Sequence, residues 1–295
     1  MASEVVIEEL PATLGATVRG VRLAALDEAN WRVIEDAFHR HAVLIFPGQF
    51  LSDDEQLAFG RRFGQLERGL TLAPISNMTP EGQVRPPDGA VMQMLRGNEG
   101  WHTDSSYMPL SAKASMLSAH VVPQSGGETE WADMRAAYDS LDQATRERIG
   151  ALSAFHSIRY SQARLGFAEV LDGAYGYDVD DPPLRPLVKI HPVTKRPALY
   201  IGRHAHAIPG LTADDSERLL ADLLEFACRS PRIYRHHWTS GDIAVWDNRC
   251  VLHHACIYDY REPRVMKHTR ISGEATEVAA HCGYETAGQS RSGIA

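Results

Sequence analysis

The chain has 295 residues, of which 44% are hydrophobic and 23% are charged. This composition excludes a mainly disordered chain and provides enough apolar residues for a large core. The formal net charge of −8 excludes broad binding to nucleic acid or to an anionic membrane surface, because both require a basic footprint.

The cysteines and the N-terminal residues predict the cellular compartment of the protein. The four cysteines form no CxxC pair, which favours reduced thiols in the cytoplasm over a disulfide framework. No apolar run approaches the ~20 residues of a membrane span, and the acidic start lacks the basic region of a secretory signal.

The first sixty residues carry clear helix and strand patterns. Residues 14–23 alternate, with glycines at positions 15 and 20, and are predicted to form a short hairpin. Residues 27–41 have helical spacing of apolar side chains, and 42–46 are a short apolar run that stops at Pro-Gly, as in a buried strand. Ser52 and Glu55 match a capping box, so a helix is predicted over 52–63.

The middle of the chain alternates irregular and regular stretches. Residues 65–97 contain four prolines and are predicted to be a surface loop with a strand at 91–95. A strand is predicted at 114–122 and helices at 134–141 and 143–152.

The remaining chain is rich in short strands. Residues 161–183 are rich in Gly, Pro and Asp and predict a lid-like loop, whereas the periodicity of 212–228 predicts a capped amphipathic helix. Six strands are predicted at 187–191, 198–201, 234–238, 243–246, 250–253 and 265–271. Closely spaced strands with a few helices favour a mainly β protein, a sandwich or jelly roll, with peripheral helices. One domain is expected over residues 1–274, followed by a flexible tail over 275–295.

The segment Trp-His-Thr-Asp at 101–104 is the first candidate site. On an extended backbone His102 and Asp104 point to the same side and could bind one cation together. A third ligand is expected from residues 246–254. Two histidines and one carboxylate are the facial triad of non-haem Fe(II) oxygenases, although the same set also suits catalytic zinc in a hydrolase.

Several motifs in the same order resemble one family. They are the apolar run at 43–49, the 101–104 segment, Gly-Gly-Glu-Thr at 126–129, and Gly-Asp-Ile-Ala-Val-Trp-Asp-Asn-Arg at 241–249 followed by His253. Over about residues 10–274 the chain resembles the taurine dioxygenase family of Fe(II)- and 2-oxoglutarate-dependent dioxygenases. Within it, residues 183–189 and 201–210 are most similar to (S)-dichlorprop-type aryloxyalkanoate dioxygenases.

The resemblance implies a double-stranded β-helix, or jelly roll, and a set of cofactors and partners. It implies Fe(II), 2-oxoglutarate as co-substrate, O2, a small anionic organic substrate and a homo-oligomer, with no nucleic acid or membrane partner. An aryloxyalkanoate that loses its ether bond after hydroxylation is the first substrate class, and an alkyl sulfate or sulfonate the second. A zinc hydrolase and a non-catalytic binding protein are the rival interpretations. A 2-oxoglutarate site, which a hydrolase would not need, argues against the first, and the intact set of His102, Asp104 and His253 argues against the second.

Residue roles follow from the matched motifs. The resemblance implies that His102, Asp104 and His253 bind iron, with His254 as the rival third ligand; adjacent strand residues face opposite sides, so only one of the pair can do so. It implies Thr129 and Arg264 for 2-oxoglutarate. His268 stands where relatives that act on sulfonates often carry a second arginine, and Arg270 follows on the same strand face, so either arginine could bind 2-oxoglutarate.

Substrate residues are the least determined by the sequence. Asn98 and Trp101 match positions of the family's substrate pocket, although a tryptophan there could simply pack. The candidates for binding the substrate anion are Arg203, His204, His206 and His268. The alternative for Arg203 and its neighbours is a solvated loop.

Overall fold

The computed structural model describes residues 5–68, 72–167, 175–177, 179 and 181–274. The strands in this part of the chain are β1 Val6–Glu9, β2 Ala16–Arg19, β3 Val43–Phe46, β4 Ala73–Ser76, β5 Ala112–Val121, β6 Thr129–Asp133, β7 Ser153–His156, β8 Leu184–Pro186, β9 Val188–Ile190, β10 Pro197–Leu199, β11 Ala205–His206, β12 Ile233–His236, β13 Ile243–Asp247, β14 Val251–Ala255 and β15 Val265–Ser272. The α-helices are α1 Glu28–His41, α2 Asp53–Phe63, α3 Ala90–Arg96, α4 Met134–Asp139, α5 Gln143–Ile149, α6 Ile158–Ala163 and α7 Ala213–Ala227.

The strands form one large sheet and three small ones. The seven-stranded sheet has the order β1-β2-β3-β13-β5-β15-β4, and a three-stranded sheet has the order β12-β6-β14. The other two sheets are β11-β7-β8 and β10-β9. The predicted class is confirmed, since the fold is a mainly β jelly roll with helices around it.

Two apolar cores lie on the two faces of the large sheet, and the alternation of side chains along β13 shows why. Ala244 and Trp246 lie in the core shared with the small sheet of β12, β6 and β14, together with Trp131 and Leu252. Ile243 and Val245 point the other way, into a second core with helices α1 and α2. A strand that is covered on both faces has to be apolar throughout, as the sequence of β13 is.

The helices of the second core begin where the sequence predicts. Asp27 caps α1, since its side chain accepts the backbone N–H of Asn30. Ser52 and Glu55 form the predicted capping box at the start of α2. Each cap satisfies backbone donors that the first helical turn leaves without partners. Trp31 of α1 then packs edge-on against Phe63 of α2, with ring centroids 4.9 Å apart.

Three local predictions are wrong. One is the surface loop at 65–97, in which residues 73–76 form strand β4 and pair with β15 at the edge of the large sheet. Residues 14–23 do not form a hairpin of their own: strand Ala16–Arg19 pairs with the preceding Val6–Glu9 and lies parallel to β3. Residues 91–95 are part of helix Ala90–Arg96 and not a strand, because a short apolar run with Met, Gln and Leu does not distinguish the two states.

The predicted strands and helices elsewhere agree with the structure to within a few residues. The lid-like segment 161–183 is only partly described, and its beginning belongs to α6, Ile158–Ala163. The predicted tail 275–295 lies outside the described residues. None of the described helices combines the length and the apolar composition that a membrane crossing requires.

Candidate active site

The segment 101–104 lies against strand β14 and brings two distant histidines together. The backbone N–H of His102 donates to the carbonyl of His253 at 2.9 Å, and the N–H of His253 donates back at 2.8 Å. The ring centroids of the two histidines are 4.1 Å apart. With Asp104 they form a buried group whose potential ligand atoms all lie within 4.8 Å of one another.

The ring orientation of His102 suits a metal ligand. Its Nδ1 lies 2.8 Å from the carbonyl oxygen of Gly100. A carbonyl can only accept, so Nδ1 carries the proton and Nε2 offers a lone pair. Burial lowers the pKa of His102 to about 4, so the neutral form predominates. Such a second hydrogen bond fixes the tautomer of ligating histidines in many metal sites.

Asp104 is surrounded by donors and cations. Ser115 Oγ donates to Oδ2 at 2.7 Å, His268 Nε2 lies 3.5 Å from Oδ2, and Arg270 Nε lies 3.4 Å from Oδ1. Burial by itself would raise the pKa of Asp104, but His268, His253 and Arg270 hold it well below its usual range. The carboxylate is therefore ionised and able to bind a cation.

Asn248 holds this arrangement in place from the turn between β13 and β14. Its Oδ1 accepts the backbone N–H of Asp104 at 3.2 Å, and its Nδ2 donates to Ser115 Oγ at 2.8 Å. Its backbone carbonyl accepts the hydroxyl of Thr103 at 2.8 Å. Neither Ser115 nor Asn248 was predicted to have a role. The signal for Asn248 was its position inside the matched motif 241–249.

A cavity of about 50 Å³ opens next to this group. Its wall contains His102, Asp104, His253 and Trp246. It also contains five further residues to which the sequence assigned roles, which are Asn98, Thr129, Arg264, His268 and Arg270.

The two candidate arginines for 2-oxoglutarate differ in what they face. The Arg264 side chain is buried, and Nη2 donates to the carbonyl of Gly127 at 3.1 Å while Nε has no hydrogen-bond partner among the described residues. Among the described residues, the ionisable groups that act on Arg264 are Tyr258, Tyr260 and Cys256, and none of them is a carboxylate. Arg270 already faces Asp104 and lies 5.4 Å from the ring of Tyr175. Arg264 is therefore the arginine that is available to bind the carboxylate of a ligand.

The rival ligand His254 points away from the cavity. Its Nε2 lies 2.7 Å from Glu130 Oε2 and its Nδ1 lies 3.1 Å from the carbonyl oxygen of Glu99. Neighbouring residues of a strand face opposite sides, and the structure shows that His253 is the one that faces His102.

Four predicted substrate residues lie beside the cavity rather than on its described wall. Trp101 packs on His254, with ring centroids 4.2 Å apart. His204 is buried, with Nδ1 2.8 Å from Ser161 Oγ and its ring 6.0 Å from that of His102. Arg203 and His206 line an adjoining cavity of about 600 Å³.

Arg203 is not a solvated loop residue. Its Nη1 donates to the carbonyl of Gly97, its backbone N–H donates to the carbonyl of Trp101 at 2.8 Å, and burial lowers the pKa of its guanidinium to about 10. His206 stacks on Tyr160, with ring centroids 4.4 Å apart.

A polar group behind Arg270 was not foreseen from the sequence. Ser105 Oγ donates to Glu67 Oε2 at 3.0 Å, and the hydroxyl of Tyr175 donates to the other carboxylate oxygen. Glu67 lies 38 residues before Ser105 and Tyr175 lies 70 after it, so no local pattern connects them. Glu67 and Tyr175 both act electrostatically on Arg270, and both raise the pKa of its guanidinium.

Comparison with known proteins places the chain in a family. The model of the family "Taurine catabolism dioxygenase TauD, TfdA family" matches residues 7–270. An (S)-phenoxypropionate/alpha-ketoglutarate-dioxygenase of Delftia acidovorans is 52% identical over 279 residues, covering 91% of this chain and 96% of the relative. An alpha-ketoglutarate-dependent 2,4-dichlorophenoxyacetate dioxygenase of Burkholderia sp. (strain RASC) is 38% identical, covering 90% and 91%. The crystal structure of AAD-2 in complex with Mn(II) and N-oxalylglycine has a TM-score of 0.86 at 38% identity, covering 92% of this chain and 97% of that chain.

The chain belongs to the TauD/TfdA family. It is a 2-oxoglutarate-dependent non-haem iron dioxygenase, which uses Fe(II), 2-oxoglutarate and O2. Its own residues fit these groups: the buried His102, Asp104 and His253 offer an imidazole, carboxylate and imidazole donor set. Arg264 adds a buried guanidinium with an unpaired Nε for an anion.

Proposed function

We propose that this dioxygenase hydroxylates an aryloxyalkanoic acid at the carbon that bears the ether oxygen. The observation that carries the proposal is the cavity that places Arg264 and Thr129 beside His102, Asp104 and His253, in a chain whose similarity to phenoxypropionate dioxygenases extends over nine tenths of its length. Hydroxylation at that carbon gives a hemiketal or hemiacetal. Its collapse would release the phenol and a 2-oxo acid, which is pyruvate when the substrate is 2-phenoxypropionate.

We assign iron binding to His102, Asp104 and His253. When bound, Fe(II) with 2-oxoglutarate and O2 supplies the oxidising power that inserts oxygen into a C–H bond, while the protein supplies position and a dry site. The Gly100 carbonyl holds the ring of His102. Ser115 and Asn248 hold the carboxylate of Asp104.

We assign the distal carboxylate of 2-oxoglutarate to Arg264 and Thr129. A guanidinium can bind a carboxylate through two parallel hydrogen bonds, and Arg264 has no carboxylate of the described chain in front of it. Thr129 Oγ1 accepts the indole N–H of Trp238 at 3.0 Å, so its own hydroxyl proton remains available to the ligand.

We assign the substrate to the side of the cavity lined by Asn98, His268 and Arg270 and towards Arg203. Arg270 has two buried N–H groups, Nε and Nη1, without a hydrogen-bond partner among the described residues, and Arg203 Nη2 is in the same state. Trp101, His204 and His206 support the same region from behind. A carboxylate that enters here meets cations in a desolvated site, where they act more strongly than the screened net charge of the chain.

We also propose one dioxygenase domain over residues 1–274 and a homo-oligomeric protein of the cytoplasm. The family model supports the first part, since it matches residues 7–270. Light scattering of the purified chain would test the oligomer, and a truncation after residue 274 that keeps full activity would support the domain limit.

A substrate panel tests the proposed reaction. Purified protein with Fe(II) and 2-oxoglutarate is incubated with (S)- and (R)-2-phenoxypropionate, phenoxyacetate, a linear alkyl sulfate and taurine, and succinate and phenol are measured. We expect succinate and phenol in equal amounts with at least one aryloxyalkanoate, and none with the Asp104→Ala variant. Succinate formation with the alkyl sulfate and not with the aryloxy acids would replace the proposed substrate with a sulfate ester, the second candidate.

A further inference from the structure

A second cluster of ligand-type side chains lies on the other side of strand β14. Glu130, His254 and Cys256, called the outer triad below, offer a carboxylate oxygen, an imidazole nitrogen and a sulfur that all lie within 4.8 Å of one another. Each of the three is only partly buried, with 18% of the His254 side chain and 12% of the Glu130 side chain exposed. The cluster is therefore sheltered but open to an ion from solvent.

The register of the small sheet creates this cluster. His254 lies opposite Glu130 in the pairing of β14 with β6, and Cys256 follows His254 by two residues, so both point to the same face. The backbone N–H of Cys256 donates to the carbonyl of Glu128 at 2.8 Å, which continues the pairing by one more row. Because the ligands come from two hydrogen-bonded strands, their relative positions are fixed by the sheet.

The hydrogen bonds of His254 point to a missing cation. Its Nδ1 faces the carbonyl oxygen of Glu99 at 3.1 Å, and a carbonyl only accepts, so the proton lies on Nδ1. The lone pair of Nε2 in the neutral ring then faces the carboxylate of Glu130 at 2.7 Å. Two acceptors at this distance require a cation between them, either a proton or a metal ion. Histidine ligands of metals typically donate their other N–H to a backbone carbonyl in this way.

The charges around the outer triad leave room for a divalent ion. Arg235 binds Glu130 through Oε1, so Oε2 remains directed at His254. Glu128 adds a second carboxylate nearby, with His237 Nδ1 3.2 Å from its Oε1. Two carboxylates and two guanidiniums, those of Arg235 and Arg264, act on the Cys256 sulfur. Burial raises the pKa of this thiol to about 11, so a bound metal ion would supply the positive charge that stabilises the thiolate.

We propose that Glu130, His254 and Cys256 form a second metal site, distinct from the iron site, that binds Zn²⁺ or a similar thiophilic divalent ion. Zinc takes nitrogen, oxygen and sulfur ligands at about 2.0–2.3 Å, which puts ligand atoms roughly 3.3–3.8 Å apart. In the outer triad the three ligand atoms lie within 4.8 Å of one another, and His254 Nε2 lies 2.7 Å from Glu130 Oε2. A thiolate ligand favours zinc over Mg²⁺. The iron site contains no thiolate, so the ligand sets of the two sites differ. On binding, the Cys256 thiol loses its proton to solvent and the sulfur bonds to the metal.

A histidine–carboxylate pair elsewhere in the described chain, His191 and Asp247, differs from the outer triad in its hydrogen bonds. Asp247 accepts hydrogen bonds from Arg249 Nε at 2.8 Å and from His191 Nε2 at 2.9 Å. The other nitrogen of His191 accepts the backbone N–H groups of Val193 and Thr194. There one nitrogen of His191 faces backbone donors and the other faces a carboxylate, whereas both nitrogens of His254 face oxygen acceptors.

Cobalt spectroscopy tests the second site without relying on activity. Metal-free protein is titrated with Co²⁺ under anaerobic, thiol-free conditions. We expect a thiolate-to-cobalt charge-transfer band in the near ultraviolet that disappears when Zn²⁺ is added. The ligands assigned to iron contain no sulfur, so the band reports a cysteine thiolate, and variants identify which of the four cysteines provides it. Absence of the band in the wild-type protein would overturn the proposal.

Single substitutions identify the cysteine that gives the band. Cys256→Ser should abolish it, whereas Cys228→Ser and Cys282→Ser are matched controls that should keep it, and Asp104→Ala should keep it because it alters only the iron site. A band that persists in Cys256→Ser, or vanishes in Asp104→Ala, refutes the assignment. If Cys256→Ser does not fold, Glu130→Gln provides the same test: it should weaken zinc binding by about tenfold or more, and unchanged binding would refute the site.

Discussion

The side-chain oxygen of Asn248 accepts the backbone N–H of Asp104 at 3.2 Å across 144 positions of sequence. Its amide nitrogen reaches the carboxylate of the same residue through Ser115, which receives one hydrogen bond from Asn248 and donates one to Asp104. Asn248 therefore fixes both the backbone and the carboxylate of the proposed iron ligand. Partners of this kind commonly contribute a factor of ten to one hundred in metal affinity.

We expect Asn248→Ala to weaken Fe(II) binding by about 10- to 100-fold while 2-oxoglutarate still binds once the iron is saturated. The physical reason is that Asp104 loses the hydrogen bonds that orient it, although all three proposed ligands remain. Iron titration of the anaerobic protein measures the change. Asn30→Ala, which removes an amide at the exposed start of α1, is the control; equal iron affinity in both variants would contradict the role of Asn248.

Asp104→Ala should remove iron and activity. The change deletes one oxygen ligand and leaves two histidines, and it also leaves the guanidinium of Arg270 without its facing carboxylate. Metal content per chain and succinate formation are measured, with circular dichroism to show that the fold persists. A folded variant that turns over at the wild-type rate would exclude Asp104 as a ligand.

Arg264→Ala should raise the KM for 2-oxoglutarate and leave iron binding intact. Loss of a buried charged hydrogen-bond pair costs on the order of 2–5 kcal/mol, or roughly 30- to 3000-fold. Arg270→Ala is the matched variant on the same strand and should act mainly on iron through Asp104. If Arg270→Ala gives the larger change in 2-oxoglutarate KM, the two assignments have to be exchanged.

Arg203→Ala should raise the KM for an anionic substrate much more than the KM for 2-oxoglutarate. Its guanidinium lies at the adjoining cavity and has one buried N–H group without a described partner, so a carboxylate could use it. Steady-state kinetics in which the two ligands are varied separately measure the difference. Equal effects on both would leave the substrate anion to Arg270, His204 or His206.

Asp247→Asn should destabilise the fold by about 3 kcal/mol at pH 7, because it removes the buried carboxylate that pairs with Arg249 and accepts from His191. Burial alone would raise the pKa of Asp247, but Arg249 and His191 hold it far below the usual range. A lowered pKa in the folded state means that the stabilisation is complete above a pH of about 4 and is lost as the pH falls further. Urea unfolding of both proteins at neutral and acidic pH checks this; a difference that grows on acidification would contradict it.

The sequence by itself determined most regular elements and the core of the site. The cap Ser52 and the apolar face of α7 are local signals. The alternation of side chains along a strand is also local, and it puts His102 and Asp104 on one side but His253 and His254 on opposite sides. The order of motifs along the chain identified the family, because such a match depends on residue identity and spacing alone. The strand predicted at 91–95 was wrong, because a short apolar segment of this kind is compatible with a helix as well as a strand.

Only the tertiary structure decided which distant residues meet. The register of β14 against segment 101–104 brings His253 to His102, and the register of β14 against β6 puts Glu130 beside His254. Arg270 faces Asp104, which leaves Arg264 as the arginine available to a ligand. Arg203 is held away from solvent by its hydrogen bonds to the carbonyls of Gly97 and Trp101. These contacts join residues far apart in the chain, and no local propensity encodes them, because pairing across a sheet is set by the packing of the whole core.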